Sequence, residues 1–143
     1  MNRDTVFIGH ANPEDNEFTL WLYAKLTNEG YKVICDLTFL TGGESDYWKD
    51  LDNALNQACK YILVFSKDTF SKSGVLDEWE HVRSMAKREG LKDFIMLLKV
   101  DDVPFDERIG TNRMNHFRFD FSWANGLKKL IYKLESDSVP VAK

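Results

Sequence analysis

Short apolar runs alternate with amphipathic segments along almost the whole chain, and this alternation restricts the fold more than any single residue does. Val6-Phe7-Ile8, Tyr31 to Cys35, Tyr61 to Phe65, Phe94 to Val100 and Phe117-Arg118-Phe119 each have the length and character of a strand. Helical periodicity fills the intervals. Strands alternating with helices imply a parallel sheet joined by right-handed crossovers. The expected architecture is therefore an α/β, flavodoxin-like three-layer sandwich. Its five-stranded parallel sheet would have the order 2-1-3-4-5, with helices on both faces.

Local signals predict where the helices begin and end. Asn12 suits a cap, Pro13 a first helical position, and Glu14 and Asp15 the positive end of the helix dipole. Phe18, Leu22 and Leu26, with Trp21 beside them, form the buried face of that helix, and Gly30 ends it. Trp48, Leu51, Leu55 and Ala58 recur at helical spacing after a loop containing Gly42-Gly43. A third helix runs from about Ser73 to a glycine stop at Gly90. The last starts after Ser122 and is expected to bury Trp123, Leu127, Leu130, Ile131 and Leu134. Residues 136–143, with Pro140 and no apolar periodicity, read as a linker or tail after a domain of residues 1–135.

Composition narrows the function classes. Nineteen basic against 23 acidic residues give a net charge of −4, and no basic run is large enough to cover a face. Direct binding to a nucleic-acid backbone is disfavoured. Cys35 and Cys59 adjoin strands, where a free thiol packs as a small hydrophobe, so a reducing cytoplasm is the expected setting. No signal-peptide pattern or membrane-length apolar run occurs. His10, His81 and His116 fall in separate elements, which offers no metal-ligand spacing. Gly9-His10-Ala11-Asn12 and Ser66-Lys67 lack the acids of a phosphoacceptor domain, and no G-x-G-x-x-G is present to cradle a dinucleotide phosphate.

One carboxylate stands out. Val75, Trp79, Val82 and Ala86 form an apolar stripe, and at ~100° per residue Glu78 lies roughly 70° from its centre. Such a carboxylate is partly desolvated by the sheet yet open to the strand ends, where open α/β sheets bind ligands. An acid in the first helical turns also serves simply to complement the dipole.

The sequence resembles the Toll/interleukin-1 receptor (TIR) family at several places in order. Val6-Phe7-Ile8-Gly9-His10-Ala11 with Pro13-Glu14-Asp15 looks like the family's first box. Gly30-Tyr31-Lys32-Val33-Ile34-Cys35-Asp36 resembles its second strand and the start of the mobile BB loop. Gly43-Glu44-Ser45-Asp46-Tyr47-Trp48 is similar to the start of the next helix in bacterial members. Ser73 to Trp79 resembles the segment that supplies the catalytic glutamate of TIR NADases. The match spans about residues 4–135. His10 to Leu22 and the Asp36 to Trp48 loop look most like TIR domains joined to an APAZ segment in short prokaryotic Argonaute systems. Two positions depart from the pattern: Gly74 stands where many enzymatic members have tryptophan, and Gly9 replaces a usual serine.

The resemblance implies cleavage of the nicotinamide–ribose bond of NAD+, a substrate and not a resident cofactor, with Glu78 as the catalytic carboxylate. Strand ends and segments near Glu78 add His10, Ala11, Asp36, Leu40, Trp48 and Ser66 as candidates to line the substrate site. Four of them have a plainer reading. His10 and Ser66 suit loop and turn hydrogen bonds, Asp36 a loop cap, and Trp48 core packing. The resemblance further implies that catalysis depends on assembly with another TIR domain through the BB loop, a contact to which the apolar residues and paired glycines of Leu37 to Gly43 are suited. The isolated chain is then expected to be largely monomeric and nearly inactive. A short Argonaute with guide nucleic acid, reached through an APAZ segment, is the further partner implied. Two other functions remain open: an adaptor acting only by TIR–TIR contact, and a nucleoside deoxyribosyltransferase-like enzyme that also uses a glutamate at ribose.

Overall fold

A computed structural model describes residues 3–35, 47–105, 111 and 114–142; of residues 47–49 it describes the backbone alone. The strands are β1 (Thr5–Gly9), β2 (Lys32–Cys35), β3 (Ala58–Phe65), β4 (Ile95–Lys99) and β5 (Asn115–Arg118). The helices are α1 (Asn16–Asn28), α2 (Tyr47–Gln57), α3 (Ser73–Arg88) and α4 (Trp123–Ser136), with a 3₁₀ turn at Thr69–Ser71. The sheet has the order β2-β1-β3-β4-β5, and every neighbouring pair is parallel. Both the strand order and the parallel pairing match the sequence reading.

Two-sided burial explains why β1 and β3 read as continuous apolar runs. On one face Val6, Ile8, Ile62, Val64, Met96 and Leu98 pack against Phe18, Leu22 and Leu26 of α1 and Leu130 and Leu134 of α4. On the other, Phe7, Tyr61, Leu63, Phe65 and Leu97 meet Leu51, Ala54 and Leu55 of α2 and Trp79, Val82 and Met85 of α3. Gly30 and Gly90 have φ of +102° and +63°, the left-handed conformation expected of glycine just past a helix.

Several local expectations are corrected. Helix α1 starts at Asn16, not at Pro13. The Asn12-Pro13 peptide is cis, and residues 12–15 form a turn in which the Asp15 N–H donates to the Ala11 carbonyl at 2.9 Å. Residue types that suit a helix start also suit a turn, and here the turn takes them. Ala58 belongs to β3 and not to the preceding helix. Ser122 does cap α4, accepting from the Asn125 N–H at 3.2 Å. Trp123, however, is 40% exposed. It lies edge-on to Phe18 with centroids 5.0 Å apart, because the side of α4 that faces the sheet carries Gly126, Leu130 and Leu134 instead.

Residues 136–142, expected as a linker, pack onto the domain. Ser136 completes α4, Val139 is buried, and Tyr31 forms an antiparallel bridge with Val141. The Ala142 N–H donates to the Gly30 carbonyl at 2.8 Å. The buried Lys60 ammonium anchors the start of this segment, donating to Asp137 at 2.6 Å and to the Asp93 carbonyl at 2.7 Å. That hydrogen bond holds the Asp137 carboxyl below its ordinary pKa against the opposing effect of burial. A segment without periodicity can still be held by single contacts of this kind.

Gly126 is kept small by Phe119, whose ring carbons lie 2.7–2.8 Å from where a Cβ would stand. Gly126→Ala is expected to destabilise the fold by about 1–3 kcal/mol through overpacking, more than the ~1 kcal/mol that alanine gains in helix propensity. Gly74→Ala, with no atom within 4 Å of its added Cβ, should be neutral or stabilising by up to about 1 kcal/mol. Urea denaturation of the two variants checks the contrast; an Ala at 126 that stabilises would contradict it.

Candidate functional site

Glu78 lies deeper than its sequence position suggested. Buried positions on α3 are Glu78, Trp79, Val82 and Met85, while Val75 and Ala86 are only partly covered. The helix is thus rolled so that its buried face centres about 40° nearer Glu78 than the apolar stripe predicts. The expected half-open carboxylate is 3% exposed.

Two strands make room for it. Gly9 ends β1, and a Cβ there would lie 2.6 Å from Glu78 Oε2 and 2.5 Å from the Tyr61 hydroxyl oxygen. The absent side chain is the space that both groups occupy. Tyr61, fully buried on β3, stacks on Phe7 with centroids 5.6 Å apart. Its hydroxyl donates to Glu78 Oε2 at 2.7 Å. A buried carboxylate without a donor costs several kcal/mol, so this bond is part of what allows Glu78 to sit there.

One residue beyond Gly9 the chain turns toward α1. His10, 1% exposed, places Nε2 2.6 Å from Asn16 Oδ1, and Asn16 Nδ2 donates to Asn12 Oδ1 at 3.0 Å. Ser66, just past β3, donates to Asp15 Oδ2 at 2.6 Å and accepts from the Asp68 N–H at 3.2 Å. Thr69 Oγ1 accepts from the Ser66 N–H and donates to the Val64 carbonyl. Asp101, after β4, accepts from the Lys67 and Val103 N–H groups, both at 2.9 Å. The C-terminal ends of β1, β3 and β4 are therefore tied together by side chains at the edge where such sheets bind ligands.

The expected site residues separate into distinct places. Glu78 stands on the α2–α3 side of the sheet, whereas His10 and Ser66 belong to the network on the α1 side. Ala11 has no exposed surface. Asp36 and Leu40, with the loop from Leu37 to Gly43, lie outside the described residues, and for Trp48 only the backbone within α2 is described. Gly74 faces open space, and Trp79 is a core residue against Phe70 with centroids 5.6 Å apart. Among the described residues no group of three or more His, Cys, Asp or Glu is placed to hold a metal ion. None of their helices is long and apolar enough to cross a membrane.

Over residues 6–131 the sequence matches the family model described as TIR domain. The chain belongs to the TIR domain family. A relative from Sinorhizobium fredii (strain NBRC 101917 / NGR234), the uncharacterized protein y4cD, is 33% identical over 140 residues. That match takes in 97% of this TIR domain but 21% of y4cD, so the chain spans about a fifth of the relative's length. Among solved structures, the TIR domain of the Toll-related receptor TRR-2 from Hydra magnipapillata aligns with a TM-score of 0.63 and 20% identity, over 90% of this chain and 94% of that one. The TIR domains of the activated Roq1 resistosome, which directly recognizes the pathogen effector XopQ, align with a TM-score of 0.59 and 19% identity, over 93% and 74%. At these identities the likeness is one of fold.

Sequence reasoning missed Tyr61, Asp15 and Asn16. Tyr61 was legible in principle, because a tyrosine inside a buried strand needs a partner for its hydroxyl. Asp15 was assigned to a helix start, yet it meets Ser66. Burial raises the Asp15 carboxyl above its ordinary pKa; the Ser66 hydrogen bond opposes the rise, Asp68 adds to it, and His10 and Asp101 act more weakly in opposite senses. With the folded value above the unfolded one, the group's contribution to stability is fully present below the unfolded value and is lost as pH rises through the folded one. For Asp15→Asn, the melting temperature relative to wild type should therefore rise as pH goes from the carboxylate range to neutrality. A difference that stays constant with pH would contradict this account.

Proposed function

We propose that this TIR domain is an NAD+ glycohydrolase in which Glu78 stabilises the reacting ribose. The observation that carries the reading is a carboxylate, 3% exposed, on the buried face of α3, where packing alone calls for an apolar side chain. Gly9 and Tyr61 are shaped around that carboxylate. The chemistry suits a single fixed anion. Nicotinamide departs as a neutral base, so no strong general acid is required, and the ribose develops positive charge as the glycosidic bond breaks. A preorganised carboxylate stabilises that oxocarbenium-like charge and can hold a ribose hydroxyl.

Activation by self-association belongs to the same proposal. The sequence from Leu37 to Gly43 carries apolar residues suited to contact with a second TIR domain, and the family resemblance implies that catalysis depends on such assembly. Coupling to an APAZ segment and a short Argonaute, with a role in antiphage or antiplasmid defence, rests on the His10–Leu22 and Asp36–Trp48 resemblance alone. The length of y4cD is in keeping with a TIR domain that works within a longer polypeptide.

One observation favours a second reading, a non-catalytic adaptor. The Tyr61–Glu78 bond is also what a purely structural buried pair would make. Incubating the chain with NAD+ at high protein concentration, followed by chromatography, decides between the two. The enzyme reading expects nicotinamide release by wild type and its loss in Glu78→Gln, with the melting temperature retained. Full turnover by Glu78→Gln would remove Glu78 from the mechanism, and no release by wild type even under crowding would favour the adaptor.

A further inference from the structure

We propose that Tyr61 is the positioning residue for Glu78: its hydroxyl, admitted by the missing side chain of Gly9, sets the orientation in which the carboxylate meets the ribose. The proposal rests on reading Glu78 as the catalytic carboxylate. Its physical basis is a three-way fit between β1, β3 and α3. Tyr61 sits in the middle of the apolar core, where the ring of a phenylalanine would fill nearly the same volume and stack equally well on Phe7. What tyrosine adds is one hydroxyl, and that hydroxyl donates to Glu78 Oε2 at 2.7 Å.

The fit leaves little freedom. The hydroxyl oxygen and Oε2 both lie within 2.6 Å of where a Cβ on residue 9 would be. Any side chain at that position would displace one or both. The ring cannot withdraw easily either, since it is fully buried between the sheet and the helices of that face. Glu78 is thus gripped at one oxygen by a donor that is itself immobilised by packing. A catalytic constellation depends on supporting groups of this kind to hold its geometry. A phenolic O–H also bonds the anion more strongly than the neutral acid. It therefore supports the charge state that stabilises an oxocarbenium ion.

Tyr61→Phe in the 143-residue chain tests this, because it keeps the ring and removes only the donor. At a protein concentration that gives turnover, kcat for NAD+ cleavage is expected to fall about tenfold to a hundredfold, the range for losing a hydrogen bond to a charged group, with KM unchanged. An activity-independent readout accompanies it. The infrared carboxylate band of Glu78, isolated by subtracting the spectrum of Glu78→Gln, is recorded in the wild-type background and again in Tyr61→Phe. A shift of that band between backgrounds supports the bond, and an identical band overturns the proposal. Wild-type kcat in Tyr61→Phe alongside an inactive Glu78→Gln also overturns it, while leaving the role of Glu78 intact. Wild-type turnover by Glu78→Gln overturns the reading of Glu78 itself, a different result from the failure of Tyr61.

Discussion

Burial of the central strands on both faces is the constraint from which the rest of this structure follows. β1 and β3 are covered by α1 and α4 on one side and by α2 and α3 on the other, so a polar side chain along them needs a partner waiting in the layer it faces. β3 breaks the apolar rule at two adjacent positions. Lys60 faces the α4 side and is met by Asp137; Tyr61 faces the α3 side and is met by Glu78. Each exception fixes something outside the sheet. The first anchors the segment that continues to Ala142, and the second orients a carboxylate.

Elsewhere polar groups collect at the strand ends. Ser66, Asp15, Thr69 and Asp101 satisfy one another and the local backbone, which closes the C-terminal edge of the sheet on its α1 side. On the α3 side the same edge holds Glu78, with Gly9 supplying the gap. The two sides differ in chemical character: one is a network of short polar side chains and backbone groups, the other a buried carboxyl group bonded to a tyrosine hydroxyl beside apolar side chains.

How much of this could be read from the chain depended on how local each signal was. Strand positions, strand order and the glycine stops at Gly30 and Gly90 follow from apolar runs and chain connectivity, and they were legible. The α1 start was not, because Asn12, Pro13 and Asp15 suit a turn as well as a cap. Trp123 has the spacing of a core residue, but Gly126 lets Phe119 approach α4 closely and the tryptophan is left at the rim. Residues 137–142 carry no period at all; they are held by a buried lysine 77 residues before Asp137 and by a bridge and a hydrogen bond to Tyr31 and Gly30.

For Glu78 the division is sharpest. The sequence by itself determined that a carboxylate would sit on a helix following the third strand, near the ligand-binding edge of a parallel sheet, within a chain of the TIR family. Periodicity put it beside the apolar stripe, since a helical wheel registers only the residues of its own helix. The tertiary structure alone decided that α3 would roll about 40° and bury it. That rotation follows from a void at Gly9 and a donor at Tyr61, on strands 69 and 17 positions before Glu78, and packing and hydrogen bonding between distant segments leave no trace in local periodicity.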